Sequence, residues 1–385
     1  MTEDWQNGGF GIYIHWPFCM AKCPYCDFNS HVRNTIDHSV WKAALLSELQ
    51  HAATLAPNRT VQSIYFGGGT PSLMEPDTIY AIINEITKLW HIGNNVEITL
   101  EANPTSVEAT KFSNFKAAGV NRVSMGVQAL NDIDLKRLGR LHTAKEAMQA
   151  FDIADKNFER ISFDLIYARQ DQTLDSWVSE LKFALTQAAD HLSLYQLTIE
   201  NGTRFGELYD LGKLKGLPDD NLAADMYAAT QEICASADLN AYEISNYAKE
   251  GAESRHNMIY WRYGDYIGIG PGAHGRITLG GVKQATTTPS LPEAWLQKVQ
   301  SNGHSLQLDE TISKPEQAEE YLMMSLRLSE GTSLSRFQSL YGAPLKQSKI
   351  NELIEQNLLT CTNDTLIATK AGRMILNAIL KELLT

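Results

Sequence analysis

Gly11-Ile-Tyr13-Ile-His15-Trp-Pro-Phe-Cys19-Met-Ala-Lys-Cys23-Pro-Tyr25-Cys26 is an apolar run broken by Pro17 and then by three cysteines in eight positions. Its first six residues are β-branched or aromatic at most positions and read as a strand. Similar runs follow at SIYFGGG near residue 63, VEITLEANP near 96, NRVSMGVQ near 121, ERISFDLIY near 159 and HLSLYQLTIE near 191. Between them, segments such as VWKAALLSELQHAATL and PDTIYAIINEITKLW repeat apolar residues three and four apart, as helices covering a sheet do. Six strands alternating with helices predict an α/β fold with a parallel sheet, arranged as an open or closed βα barrel.

In such sheets chemistry gathers in the loops that leave the C-terminal strand ends, where several strands aim side chains into one crevice. The unusual residues sit at those places. Cys19 to Cys26 follow the first strand, Gly67-Gly68-Gly69-Thr70-Pro71 the second, Glu101 to Pro104 the third, Gln128 the fourth, Asp164 to Arg169 the fifth and Gln196 to Glu200 the sixth. One shared pocket accounts for all of them.

Three thiolates on one loop can ligate a single polynuclear centre, the usual way of holding an iron–sulfur cluster, and they leave one iron without a protein thiolate. A structural zinc needs a fourth donor, for which His15 and His31 are near in sequence. Inert packing is a further reading, but cysteines rarely cluster so tightly without a bond or metal. Five cysteines are a poor disulfide framework for 385 residues and point to a reducing compartment, with the cytoplasm as the expected location. The N-terminus lacks the positive and apolar regions of a secretory signal, and no stretch approaches 18 uncharged apolar residues. The net charge of -12, from 45 acidic against 33 basic residues, argues against nucleic acid as a partner.

The Cys-x3-Cys-x2-Cys spacing after a first strand resembles the signature of the radical-SAM superfamily. That resemblance implies a partial (β/α)6 TIM-like barrel, with a [4Fe-4S] cluster on Cys19, Cys23 and Cys26 and S-adenosylmethionine chelated at the open iron. By motif position it places Gly68, Gly69 and Thr70 at the methionine end of that cofactor and Tyr13 and Tyr25 beside it. Glu101, Gln128, Arg140 and Asp164 fall at its ribose and carboxylate. Carboxylates and amides suit hydroxyls, and arginine suits a carboxylate bidentately, although a strand-end structural bond is an equally ordinary use of each. The chain departs from the family at Asp164-Leu-Ile-Tyr-Ala168-Arg169-Gln170, where relatives have Gly-Leu-Pro after the tyrosine.

The string Tyr13-Ile-His-Trp-Pro-Phe-Cys19 through Cys26-Asp-Phe28-Asn-Ser-His31 is similar to the oxygen-independent coproporphyrinogen III oxidase-like group. Oxidases of that group carry a further Cys where this chain has Phe28, and a long extension ahead of the cluster where only 18 residues precede Cys19. His256-Asn257-Met-Ile-Tyr260-Trp261 matches instead the motif of the heme-chaperone family HemW. The chaperone resemblance implies heme as cargo, His256 as its ligand and heme-accepting apo-proteins such as respiratory enzymes as partners, with homodimer formation and peripheral membrane contact left open. The oxidase resemblance implies radical decarboxylation of coproporphyrinogen III, and a bare iron–sulfur protein is a third reading. From the residues alone, His256 also reads as a satisfied loop histidine beside two core aromatics. His274, in Gly268-Ile-Gly-Pro-Gly-Ala-His274-Gly275, is a rival heme ligand, and that glycine run is expected to wall the cofactor pocket. Cys234 and Cys361 read as packing residues.

The core domain is expected over 1–285. The texture turns helical near residue 290, and a hairpin around Asn363 and Asp364 precedes a helix capped by Thr369. A smaller, winged-helix-like domain is therefore expected over 290–385. With no basic stripe for DNA, it reads as a lid or docking domain.

Overall fold

The computed structural model describes residues 3–188 and 190–385. Six strands, β1 (Phe10–Trp16), β2 (Thr60–Gly68), β3 (His91–Ala102), β4 (Arg122–Gln128), β5 (Arg160–Tyr167) and β6 (His191–Gln196), lie side by side in chain order and pair in parallel. Beyond β6 stand two short antiparallel strands, β7 (Asn240–Ala241) and β8 (Asn246–Ala248). On the other flank, β9 (Asp265–Ile269) pairs in parallel with β1. From there β10 (His274–Leu279), β11 (Val282–Thr287) and β12 (Gln307–Thr311) continue antiparallel. The resulting open sheet has the order β12-β11-β10-β9-β1-β2-β3-β4-β5-β6-β8-β7.

Strand side chains alternate between faces, and here the two faces differ in chemistry. Val123, Met125 and Val127 of β4 join Ile161, Phe163 and Leu165 of β5 in the main apolar core. The intervening Ser124, Gly126, Asp164 and Ile166 line a cavity on the opposite face. Helices cover the apolar side. In α1 (His38–Leu55) the Asp37 side chain accepts from the N–H groups of Ser39 and Val40, capping the first turn. In α2 (Pro76–Leu89) the buried Ile79, Ile82, Ile83 and Ile86 recur at helical spacing. Thr143 and Glu146 form a capping box ahead of α3 (Ala144–Asn157).

The main body extends past the boundary expected at 285–290. Helix α4 (Pro292–Asn302) stacks Trp295 on Trp41 of α1, with centroids 5.3 Å apart, and β12 completes the main sheet. The C-terminal module combines helices with a small antiparallel sheet, β13 (Thr332–Ser333), β14 (Leu359–Thr362) and β15 (Thr365–Ala368), around its own core. Thr369 caps the following turn by accepting from Gly372 N–H at 3.0 Å. Tyr263 of the main body lies in the module's core, and Arg336–Asp4 and Arg276–Glu320 ion pairs tie the two together. Cys234 is buried as expected, whereas Cys361, read as a packing residue, is exposed on an outward position of β14. Among the described residues no helix is long and apolar enough to cross a membrane.

Candidate functional site

Pro17 ends β1 and the chain turns into the cysteine loop. A short parallel pairing of Phe18–Cys19 with His31–Val32 closes the loop, helped by His31 N–H donating to Pro17 O at 2.7 Å. Each sulfur has a donor or hydroxyl nearby: Thr70 Oγ1 at 3.4 Å from Cys19 Sγ, Arg140 Nη1 at 3.5 Å from Cys23 Sγ, and Ser30 Oγ at 3.8 Å from Cys26 Sγ. Donors and positive charge beside thiolates suit an iron–sulfur centre, whose potential is set partly by such contacts. Among the described residues no three His, Cys, Asp or Glu side chains converge on a point where one metal ion could sit. His15 and His31, the donors that a zinc would need, are engaged elsewhere. His15 pairs with Tyr13 Oη at 3.0 Å and Asn29 O at 2.9 Å, and His31 Nε2 with Asn29 Oδ1 at 3.0 Å. Three cysteines on one loop beside Thr70, Arg140 and Ser30 fit an iron–sulfur cluster.

The three cysteines open onto a cavity of about 590 Å³, within the range of small-ligand sites. Of the residues singled out from the sequence, Tyr25, Gly68, Gly69, Thr70, Glu101, Gln128, Arg140 and Asp164 line the same cavity. Gly69 is required sterically, since an added Cβ would stand 2.8 Å from Phe18 O and 3.0 Å from Cys19 Sγ. Gly69→Ala is therefore expected to displace Cys19, reducing iron content and weakening S-adenosylmethionine binding tenfold or more, about 1.4 kcal/mol, by calorimetry. Gln128 adopts a left-handed φ of 73° beside a register shift in β4, an uncommon conformation for a residue with a side chain. Ala168, at the family's glycine position, is also left-handed at φ 57°. Arg169 anchors that altered loop by pairing with Asp134 and Glu180 and donating to Ile166 O.

Glu101 and Asp164 are the electrostatic centre of the cavity. Glu101 accepts from Tyr65 Oη at 2.8 Å and Gly68 N–H at 3.2 Å, and Asp164 accepts from Ser124 Oγ at 3.4 Å. Burial, with Asp164 nearby, pushes Glu101 up to about 7, and burial pushes Asp164 up to about 6. A carboxyl raised in the folded state contributes stability that is present below its unfolded pKa and lost as pH rises through the folded value, here from about 4 to 7. Glu101→Gln is thus expected to stabilise the ligand-free protein at pH 8 by on the order of 1–3 kcal/mol and to flatten its stability between pH 5 and 8. The same change removes an anionic acceptor for ligand hydroxyls. Urea midpoints across pH check the first effect, and no gain at pH 8 would count against it.

Tyr13 and His256 lie behind the cavity wall. His256 is 2% exposed, with Nδ1 2.7 Å from Ser63 Oγ and Nε2 2.7 Å from Tyr260 Oη, and burial pulls its pKa down to about 3. Its ring stacks on Tyr65, with Tyr13 alongside. As placed, the imidazole is neutral and both nitrogens are partnered, so it is not free to ligate iron. The Gly268–Gly275 run does not line the cavity. It packs behind the cysteine loop, where Gly270 at φ 105° leaves no room for a Cβ against His15 O, and Asn29 Nδ2 donates to Pro271 O at 2.9 Å. His274 is exposed at the start of β10.

Tyr65 and Arg122 are among the lining residues that the sequence reading did not single out, whereas Asn103 lies in the Glu101 to Pro104 stretch that it did. Asn103 accepts from Arg140 Nη2 at 2.6 Å and so aims the guanidinium towards Cys23. The alternation in Ser-Ile-Tyr-Phe-Gly from Ser63 was the available signal for Tyr65, since it shares a face with Gly67.

A family model for the radical SAM superfamily matches residues 13–184, and one for the HemN C-terminal domain matches residues 312–375. The mitochondrial radical S-adenosyl methionine domain-containing protein 1 of Bos taurus is 37% identical, covering 97% of this chain and 87% of its own. Heme chaperone HemW of Escherichia coli (strain K12) is 36% identical over 96% of this chain and 97% of its own. The Haemophilus influenzae heme chaperone HemW is 37% identical over 97% of each. In three dimensions, coproporphyrinogen III oxidase (HemN) from Escherichia coli superposes with a TM-score of 0.81 at 20% identity, covering 99% of this chain and 92% of that one, a likeness of fold.

Proposed function

Because the chain belongs to the HemW family within the radical SAM superfamily, we propose that it is a heme chaperone, which binds a [4Fe-4S] cluster, S-adenosylmethionine and heme and passes heme to apo-proteins. The observation that carries the cofactor part is that the three cysteines share one cavity with Gly68, Gly69, Thr70, Glu101 and Asp164. Cys19, Cys23 and Cys26 would hold the cluster. Such a cluster, with one iron free of protein thiolate, supplies a coordination site for S-adenosylmethionine and an electron for its reduction.

The chain's own residues do the rest. Arg140 Nη1 and the Thr70 hydroxyl donate towards the cysteine sulfurs. Glu101 and Asp164 offer buried acceptors to ligand hydroxyls. Gly68 and Gly69 let the backbone approach the ligand without side chains intervening. Family membership supports heme as cargo, while the placement of His256 means that heme ligation there requires the imidazole to leave its two partners. Respiratory apo-enzymes as recipients and a cytoplasmic location belong to the same reading, which leaves peripheral membrane contact and dimer formation open.

The competing activity is coproporphyrinogen III decarboxylation. Phe28, 59% exposed at the cavity edge, stands where oxidases have a further cysteine. Anaerobic heme titration of the cluster-loaded protein, followed by assay with a reductant, S-adenosylmethionine and coproporphyrinogen III, separates the two. Saturable heme binding without decarboxylated product is expected, and product formation would overturn the chaperone reading.

A further inference from the structure

One side chain joins the cofactor-facing carboxylate to the motif histidine. The Tyr65 hydroxyl donates to Glu101 Oε1 at 2.8 Å, and its ring lies on the imidazole of His256, with centroids 4.7 Å apart and planes 17° from parallel. The histidine is latched from both edges, by Ser63 Oγ and by Tyr260 Oη. Both Glu101 oxygens are also in use, Oε1 by Tyr65 and Oε2 by Gly68 N–H. A ligand hydroxyl donating to Glu101 Oε1 shares that oxygen with Tyr65 and weakens the bond that holds it. If Tyr65 yields, its ring loses the bond that fixes its position on His256. A second tie runs to the cavity from the helix Arg255–Trp261, which carries His256: Asn257 Nδ2 donates to Tyr242 Oη at 3.2 Å and Tyr242 Oη pairs with His191 Nε2 at 3.0 Å.

We propose that Tyr65 is a positioning residue that couples the two sites: occupation of the cavity at Glu101 shifts Tyr65 and releases His256 from Ser63 and Tyr260, so that the imidazole becomes available to heme. The proposal rests on the heme-chaperone reading and accounts for why both nitrogens of the motif histidine are engaged by Ser63 and Tyr260. Two arrangements of one buried ring, latched and released, are the two states that the two ligands bias in the same direction. Linkage then requires reciprocity, with heme tightening S-adenosylmethionine by the factor by which S-adenosylmethionine tightens heme.

The test is anaerobic heme titration of the cluster-loaded protein with and without saturating S-adenosylmethionine. The native protein is expected to bind heme at least about fivefold more tightly with the cofactor present, the lower end of usual couplings, and the reverse titration should give the same factor. Tyr65→Phe keeps the ring and its stack but lacks the hydroxyl. It is expected to reduce the factor to within about twofold of unity while cluster content stays native. Tyr260→Phe removes one side of the latch and is expected to tighten heme binding without S-adenosylmethionine. A native factor near one, or a Tyr65→Phe protein with the full native factor, overturns the proposal. Absence of saturable heme binding in every form would remove the heme reading itself, and the proposal with it.

Discussion

Cys23→Ser is expected to leave a folded protein that retains almost no iron or acid-labile sulfide after anaerobic reconstitution and lacks the cluster's visible absorbance. A cluster held by three thiolates has no spare ligand, and a serine hydroxyl is a poor replacement. Cys23 is half-buried on the loop surface and its neighbour Arg140 is held independently by Asn103 and Gly126 O, so its loss should not spread into the sheet. The change in urea midpoint should correspond to less than about 1 kcal/mol. Iron and sulfide analysis decides the point, and native iron content in the variant would remove the triad from the metal site.

Asp265→Ala carries the largest expected cost to stability. Asp265 is wholly buried between two cations, with Arg59 Nη1 at 2.6 Å and Lys283 Nζ at 3.2 Å, and it also accepts from the backbone and hydroxyl of Thr278. Removing the shared anion leaves two buried positive charges facing each other, which typically costs about 3–5 kcal/mol. Because Asp265 is also the residue that opens β9 opposite Phe10 of β1, cluster loading should fall along with stability. Denaturant titration measures the first effect. A loss under about 1 kcal/mol would mean that water reaches the cluster of charges.

The repeat of strands and helices was legible from residue 10 to 200 because each parallel strand is a local run of β-branched and aromatic residues with glycines or polar residues at its end. What could not be read was pairing set by distant partners. The stretch Tyr-Gly-Asp-Tyr-Ile-Gly-Ile-Gly around Asp265 carries three glycines in eight residues, which weakens the local signal for a strand, and it becomes β9 because β1 offers an unpaired edge. The same long-range pairing brings the next glycines behind the cysteine loop and away from the cavity, which local sequence does not encode. The cavity residues at strand ends were readable because loops at one sheet end must converge. The state of His256 was not readable: Tyr260 is one helical turn away in Arg255–Trp261, but Ser63, the partner that completes the choice of a satisfied core group over a free ligand, lies 193 residues away on β2.

The dependence of the cysteine loop on β9 also has a consequence in time. Asn29 is tied to Pro271 O and Ser290 O, contacts separated by 242 and 261 residues in sequence, and β1 gains its second neighbour only with β9. During synthesis at roughly 5–20 residues per second, the cysteines leave the ribosome about 10–50 s before the chain that braces them exists. Throughout that interval the loop lacks this brace and has only its nearer contacts, such as the pairing of Phe18–Cys19 with His31–Val32. Full bracing of the loop therefore comes only once the residues of both flanks of the main sheet have been made.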